Sequence, residues 1–68
     1  MTKMMIFNYI TDYRVRQVLT QKEVADGLGW TLRKVQSYEQ GWRMPSVEDA
    51  VRLARFLGVT VEQLYPVK

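Results

Sequence analysis

Four times in 68 residues, an apolar residue followed by a hydroxyl side chain opens a short stretch that closes on glycine or proline. Leu19-Thr20 leads to Gly29, Trp30-Thr31 to Gly41, Pro45-Ser46 to Gly58, and Val59-Thr60 to Pro66. A Thr or Ser at such an opening accepts a hydrogen bond from one of the amide groups that a helix start leaves without a partner. Glycine takes up the left-handed backbone that closes helices, and proline cannot continue one. Glu23, Asp49 and Gln63 stand three residues after Thr20, Ser46 and Thr60, so each pair reads as a capping box. Leu19 with Val24, Trp30 with Val35 and Val59 with Leu64 supply hydrophobic staples. No stretch alternates with a period of two. The sequence predicts an all-α domain.

The spacing predicts a first helix over Met4–Val18, with Ile6, Ile10 and Tyr13 on one face and Phe7 and Val18 near its edges; Asn8 offers an alternative start. A second helix runs behind Thr20 to Leu28, with Gly27 costing it about 1 kcal/mol relative to alanine. The third covers Leu32–Gln40, where only Val35 and Tyr38 form an inward stripe; Leu32, Arg33, Lys34, Gln36 and Ser37 remain for solvent or a partner. The fourth runs from Ser46 to Gly58 with Ala50, Leu53, Ala54 and Leu57 inward, and a short fifth stops before Pro66. The length fits one domain over residues 1–68, with 1–5 expected to be flexible.

Composition narrows the function classes. With no cysteine there are no disulfides or thiolate metal sites, and with no histidine the commonest general base and neutral metal ligand are missing. Glu23, Asp26, Glu48, Asp49 and Glu62 read as caps or surface charges, so no catalytic residue, metal or cofactor is expected. A net charge of +3 leans mildly toward an anionic partner. No apolar run approaches the roughly 20 residues of a membrane span, and the opening Met-Thr-Lys-Met-Met-Ile-Phe is too short for a signal peptide. The expected location is the cytoplasm.

The three-residue connection Gly29-Trp30-Thr31 gives the second and third helices the form of a helix-turn-helix, with small Ala25 where they approach and Val35 and Tyr38 pinning the third to the core. A helix lying in the major groove reads base edges with polar side chains near its N-terminus. Here those are Leu32, Arg33, Gln36 and Ser37. Arg33 suits a bidentate contact to guanine, worth about 1–3 kcal/mol of discrimination; Gln36 suits adenine and Leu32 a thymine methyl. The competing reading is a solvated helix face. Gln21 opens a helix whose free N–H groups suit a phosphate, and Thr31, Lys34 and Arg43 stand beside the reading helix as further phosphate contacts or as ordinary surface groups.

Leu19-Thr20-Gln21-Lys22-Glu23-Val24-Ala25, Leu28-Gly29, Tyr38-Glu39-Gln40-Gly41, Pro45-Ser46, Leu53-Ala54 and Leu57-Gly58-Val59 together resemble the lambda repressor/Cro-like (XRE-type) family of helix-turn-helix regulators. The resemblance covers Ile10 to Tyr65. It implies a five-helix domain that binds double-stranded DNA, usually as a homodimer on a two-fold operator, with Gln21 at the DNA backbone. It also implies that Arg14 and Glu39 form a structural ion pair rather than serving the DNA. Phe56, Val59, Leu64, Tyr65 and Val67 are the candidate dimer contacts. Because Pro66-Val67-Lys68 follow the fifth helix directly, no sensing or cleavable domain is expected. The leading function is a transcriptional regulator of repressor type; the alternative is the antitoxin of a toxin–antitoxin pair, which would bind a protein as well as DNA.

Several residues depart from the family pattern. Val18 stands where relatives often carry glycine, and a β-branched residue resists positive φ, so a differently built turn is expected there. Leu32 and Ser37 are less polar or shorter than many readers, which puts specificity on Arg33 and Gln36 or on DNA shape. Trp42 is expected to pack beneath its loop, the alternatives being the DNA backbone or a partner subunit. Core positions are expected for most of Met4, Met5, Tyr9 and Phe56.

Overall fold

All four predicted caps form. In the computed structural model, which describes residues 5–67, Thr20 Oγ1 accepts from the Glu23 amide at 3.0 Å and Glu23 Oε1 from the Thr20 amide at 2.8 Å. Thr60 and Gln63 repeat this reciprocal pair at 3.1 and 2.8 Å. Thr31 accepts from the Lys34 amide and Ser46 from the Asp49 amide, each at 3.1 Å. The box expected at Ser46 is only half built, because the Asp49 carboxylate turns toward Tyr38 and Lys34 instead. Helices α2 (Gln21–Leu28), α3 (Leu32–Glu39), α4 (Val47–Leu57) and α5 (Val61–Leu64) follow these caps, and the described residues contain no strand.

Helix α1 spans Ile10–Arg16, well inside the Met4–Val18 predicted. Met4 lies outside the described residues, as do residues 1–4 of the segment expected to be flexible. Residues 5–9 are not helical because their backbone is committed elsewhere. The Ile6 amide donates to the Gly41 carbonyl at 2.8 Å and the Tyr9 amide to the Leu64 carbonyl at 2.9 Å. Asn8 accepts from the Ile10 amide at 3.1 Å while its Nδ2 donates to the Tyr38 carbonyl at 3.1 Å, so one side chain starts α1 and ties it to α3. Where the arm crosses Gly41, an added Cβ would lie 2.4 Å from the Ile6 carbonyl oxygen. Only glycine fits there.

The C-terminal ends of α1 to α4 share one construction, a left-handed residue whose amide and the next one turn back to the last helical carbonyls. Gly29, Gly41 and Gly58 fill that position in α2, α3 and α4. In α1 it is filled by Val18 at φ +57°, with its amide on the Val15 carbonyl at 2.9 Å and the Leu19 amide on the Arg14 carbonyl at 3.2 Å. The turn is therefore not built differently, as its β-branched residue led one to expect. The valine adopts the strained backbone, with its side chain almost wholly in solvent.

Ile10, Val24, Ala25, Leu28, Val35, Tyr38, Leu53, Ala54, Leu57, Leu64 and Tyr65 make one core, flanked by half-buried Ile6, Tyr13, Leu19, Trp30, Val59 and Val61. Leu64 and Tyr65, expected on a dimer face, are thus interior: Leu64 is fully buried and Tyr65 nearly so. The core positions expected for Met5, Tyr9 and Phe56 are not found either, since all three are exposed. The Phe56 ring instead lies over Gly27, where an added Cβ would fall 2.3 Å from its Cε1. Trp42 is half exposed rather than packed beneath its loop; its backbone amide closes α3 on the Ser37 carbonyl at 3.0 Å.

Candidate nucleic-acid interface

Three helices are held in register by a single carboxylate. Glu39, at the end of α3, accepts from Arg14 Nε at 2.7 Å and Nη2 at 3.2 Å, from Thr11 Oγ1 at 2.7 Å and from Gln21 Nε2 at 3.1 Å. The remaining Arg14 group, Nη1, donates to the Leu19 carbonyl at 2.7 Å, bracing the strained turn. The side chains of Arg14 and Glu39 are only 13% and 3% exposed, so neither charge offers itself to a ligand. Gln21, half-buried, presents its remaining oxygen 3.4 Å from Gln36 Nε2. The first residue of α2 is thereby joined to the middle of α3.

The outward face of α3 carries Leu32 and Arg33, both exposed, and the half-exposed Gln36. Ser37 does not share that exposure. It is 9% exposed rather than open, so the exposed position expected for it is not found. Lys34 is also engaged, its ammonium 2.9 Å from Asp49 Oδ2 and 4.7 Å from the centre of the Trp30 ring. Asp49 accepts from Tyr38 Oη at 2.8 Å as well. The Lys34 ammonium, followed by the Tyr38 hydroxyl, holds the Asp49 carboxyl below the ordinary carboxylate range. Burial, and then the bond to Asp49, pushes the Tyr38 phenol up to about 12.

This Tyr38–Asp49–Lys34 cluster, which links α3 to α4, is not announced by the sequence, where Asp49 reads as a cap partner or a surface charge. The available signal was that α3 ends its inward stripe on a tyrosine, whose hydroxyl needs a partner when buried. Beside the cluster, Thr31, Arg33, Lys34, Ser37 and Arg43 line a cleft of about 420 Å³ between α3 and the loop that follows it. Four of the residues expected to serve DNA on the α3 side therefore share one hollow with Arg43, while Leu32, Gln36 and Gln21 stand outside it.

Two short helices joined by a left-handed glycine, the second displaying polar and basic groups outward, give the geometry of a groove-reading pair. A family model described as helix-turn-helix matches residues 10–64. The chain belongs to the helix-turn-helix family. It is 38% identical over 60 residues to the cryptic phage CTXphi transcriptional repressor RstR of Vibrio cholerae, a match covering 88% of this chain and 54% of that protein. The chain thus spans about half the length of that relative. It is also 33% identical over 58 residues to MJ0272 of Methanocaldococcus jannaschii, described as an HTH-type transcriptional regulator, over 85% of this chain and 88% of the relative. The fold and the family make this a DNA-binding domain of the transcription-regulator type. No helix among the described residues is long and apolar enough to cross a membrane.

Proposed function

We propose that this helix-turn-helix domain is a sequence-specific repressor that lays α3 in the major groove, binding an inverted repeat as a homodimer. The observation that carries this reading is the outward display of Leu32, Arg33 and Gln36 on one short helix whose inner face is locked to the core by Val35 and Tyr38. Arg33 and Gln36 have the donor patterns for guanine and adenine, and Leu32 offers apolar surface to a thymine methyl. Gln21, Thr31, Lys34 and Arg43 serve the flanking phosphates, which fix position without reading sequence. With Leu64 and Tyr65 interior, the dimer contacts fall to Phe56, Val59 and Val67.

Selection of bound duplexes from a random library, followed by salt titration, tests the reading. An inverted repeat should emerge, with affinity falling steeply as salt rises because phosphate contacts release counterions. Arg33→Ala should relax preference at one base pair in each half-site, by about 1–3 kcal/mol. Arg43→Ala should weaken all sequences alike and reduce the salt slope by about one. Retention of full base preference in both Arg33→Ala and Gln36→Ala would remove α3 as the reader.

A further inference from the structure

The arm ahead of α1 is apolar on both of its sides. Exposure alternates along it. Ile6 and Ile10 face the core with half-buried Asn8 between them, while Met5, Phe7 and Tyr9 are 58%, 66% and 39% exposed. Alternation of this kind is what an extended chain lying on a core produces, and its outer residues are ordinarily polar. A segment apolar on both sides has the pattern of one that is covered on both. Here only the inner side is covered. The outer rings are already fixed against each other, Phe7 and Tyr9 meeting edge to face with their centres 4.9 Å apart. Backbone bonds to Gly41 and to Leu64 hold the arm in place, and Val67, 89% exposed, follows Leu64 within three residues.

We propose that this face is covered by the same face of a second copy, which extends the dimer surface from Val67 onto the arm. The proposal rests on the homodimer reading above. Charge selects the occupant. No charged side chain lies between Lys3 and Asp12 or between Glu62 and Lys68, in a chain that carries +3 overall. Two-fold association sets a patch against its own copy, so a charged patch repels itself and a neutral one does not. A partner recognised by its charge finds nothing here to pair with. Area sets the strength. A fully covered aromatic side chain buries about 150–250 Å², so the exposed parts of Phe7 and Tyr9, with Met5 and Val67, come to roughly 400 Å² in each copy. That is half of the about 800 Å² per partner in a standard interface, and the contact is accordingly weak. Two copies held side by side on a duplex meet at a high effective concentration, which closes a contact too weak for dilute solution.

The test uses the whole chain, free in solution. The protein is diluted from millimolar to micromolar concentration while sedimentation reports its mass and NMR its backbone amides. The mass should fall from dimer toward monomer, with the largest amide shifts at Met5, Phe7, Tyr9 and Val67. Phe7→Asp, at an exposed position, sets a charge against its own copy and should weaken self-association at least about tenfold, the worth of one buried phenyl ring. Met5→Asp should act in the same direction and serves as the second variant should the Phe7 change disturb the fold. On a duplex carrying both half-sites, Phe7→Asp should lose cooperative binding while its affinity for a single half-site stays as in the parent chain.

Dilution shifts confined to α4, or both variants associating as the parent chain does, would move the dimer contact off the arm and leave the homodimer reading standing. A chain that stays monomeric at millimolar concentration and binds paired half-sites without cooperativity would overturn the second copy as the occupant and leave the face to a foreign chain. Selection of single, unpaired half-sites would remove the homodimer reading itself, and the arm contact with it.

Discussion

Val18 occupies the same left-handed position that glycine fills at the ends of α2, α3 and α4, and its side chain gains little from packing. Such a backbone costs a β-branched residue about 1–3 kcal/mol, while glycine loses about 0.5–1 kcal/mol more backbone entropy on folding. Val18→Gly should therefore stabilise the domain by about 1 kcal/mol, read as a higher urea midpoint at unchanged slope; a lower midpoint would show that the valine side chain contributes something the structure does not reveal. Tyr65 poses the opposite problem, since its hydroxyl is buried without a partner. Tyr65→Phe removes an unsatisfied polar group and should raise the melting temperature, by an amount corresponding to about 1 kcal/mol. The anomaly at Val18 was visible in the sequence, but its outcome was not. The position is decided by the bonds that Arg14 and Leu19 make around it, which draw the turn into the shape its neighbours require.

The four later helices begin where the sequence places them because a cap is local chemistry, a hydroxyl and an amide three residues apart. Helix α1 begins late because the amides before it are claimed by carbonyls of Gly41 and Leu64, which no local pattern announces. The reading helix shows the same division. Its polar composition was legible, yet the inward turn of Ser37 and the capture of Lys34 by Asp49 depend on which loop and which helix lie alongside. Two contacts between elements can be tested directly. Glu39→Gln leaves Arg14 buried without its counter-charge and should cost about 3 kcal/mol, the low end for breaking a buried pair; an unchanged melting temperature would deny the carboxylate its role in joining α1, α2 and α3. Gly27→Ala should gain about 1 kcal/mol of helix propensity only when Phe56→Ala has cleared the ring from its path. A double-mutant cycle with no coupling between positions 27 and 56 would contradict that contact.

The whole domain should be squeezed at both ends of the pH range. The Asp49 carboxyl is held below its unfolded value, so its contribution is present above that value and is lost as pH falls through the lower folded one. Tyr38 and Tyr65 shift the other way, both pushed up to about 12 from 10.0, Tyr65 chiefly by burial. Their folded forms resist ionisation, so their contribution is complete below pH 10 and disappears as pH rises from 10 to about 12. Denaturation midpoints across that alkaline interval should fall together with the appearance of tyrosinate absorbance. Tyr65→Phe should shrink the fall, and a midpoint that stays level to pH 12 would contradict both burials. The arm ahead of α1 is fastened to the carbonyl of Leu64, almost the full length of the described chain away. In an emerging chain the bond from Tyr9 to Leu64 therefore cannot close until α5 has been made, although Gly41, which holds the same arm through Ile6, is synthesised earlier.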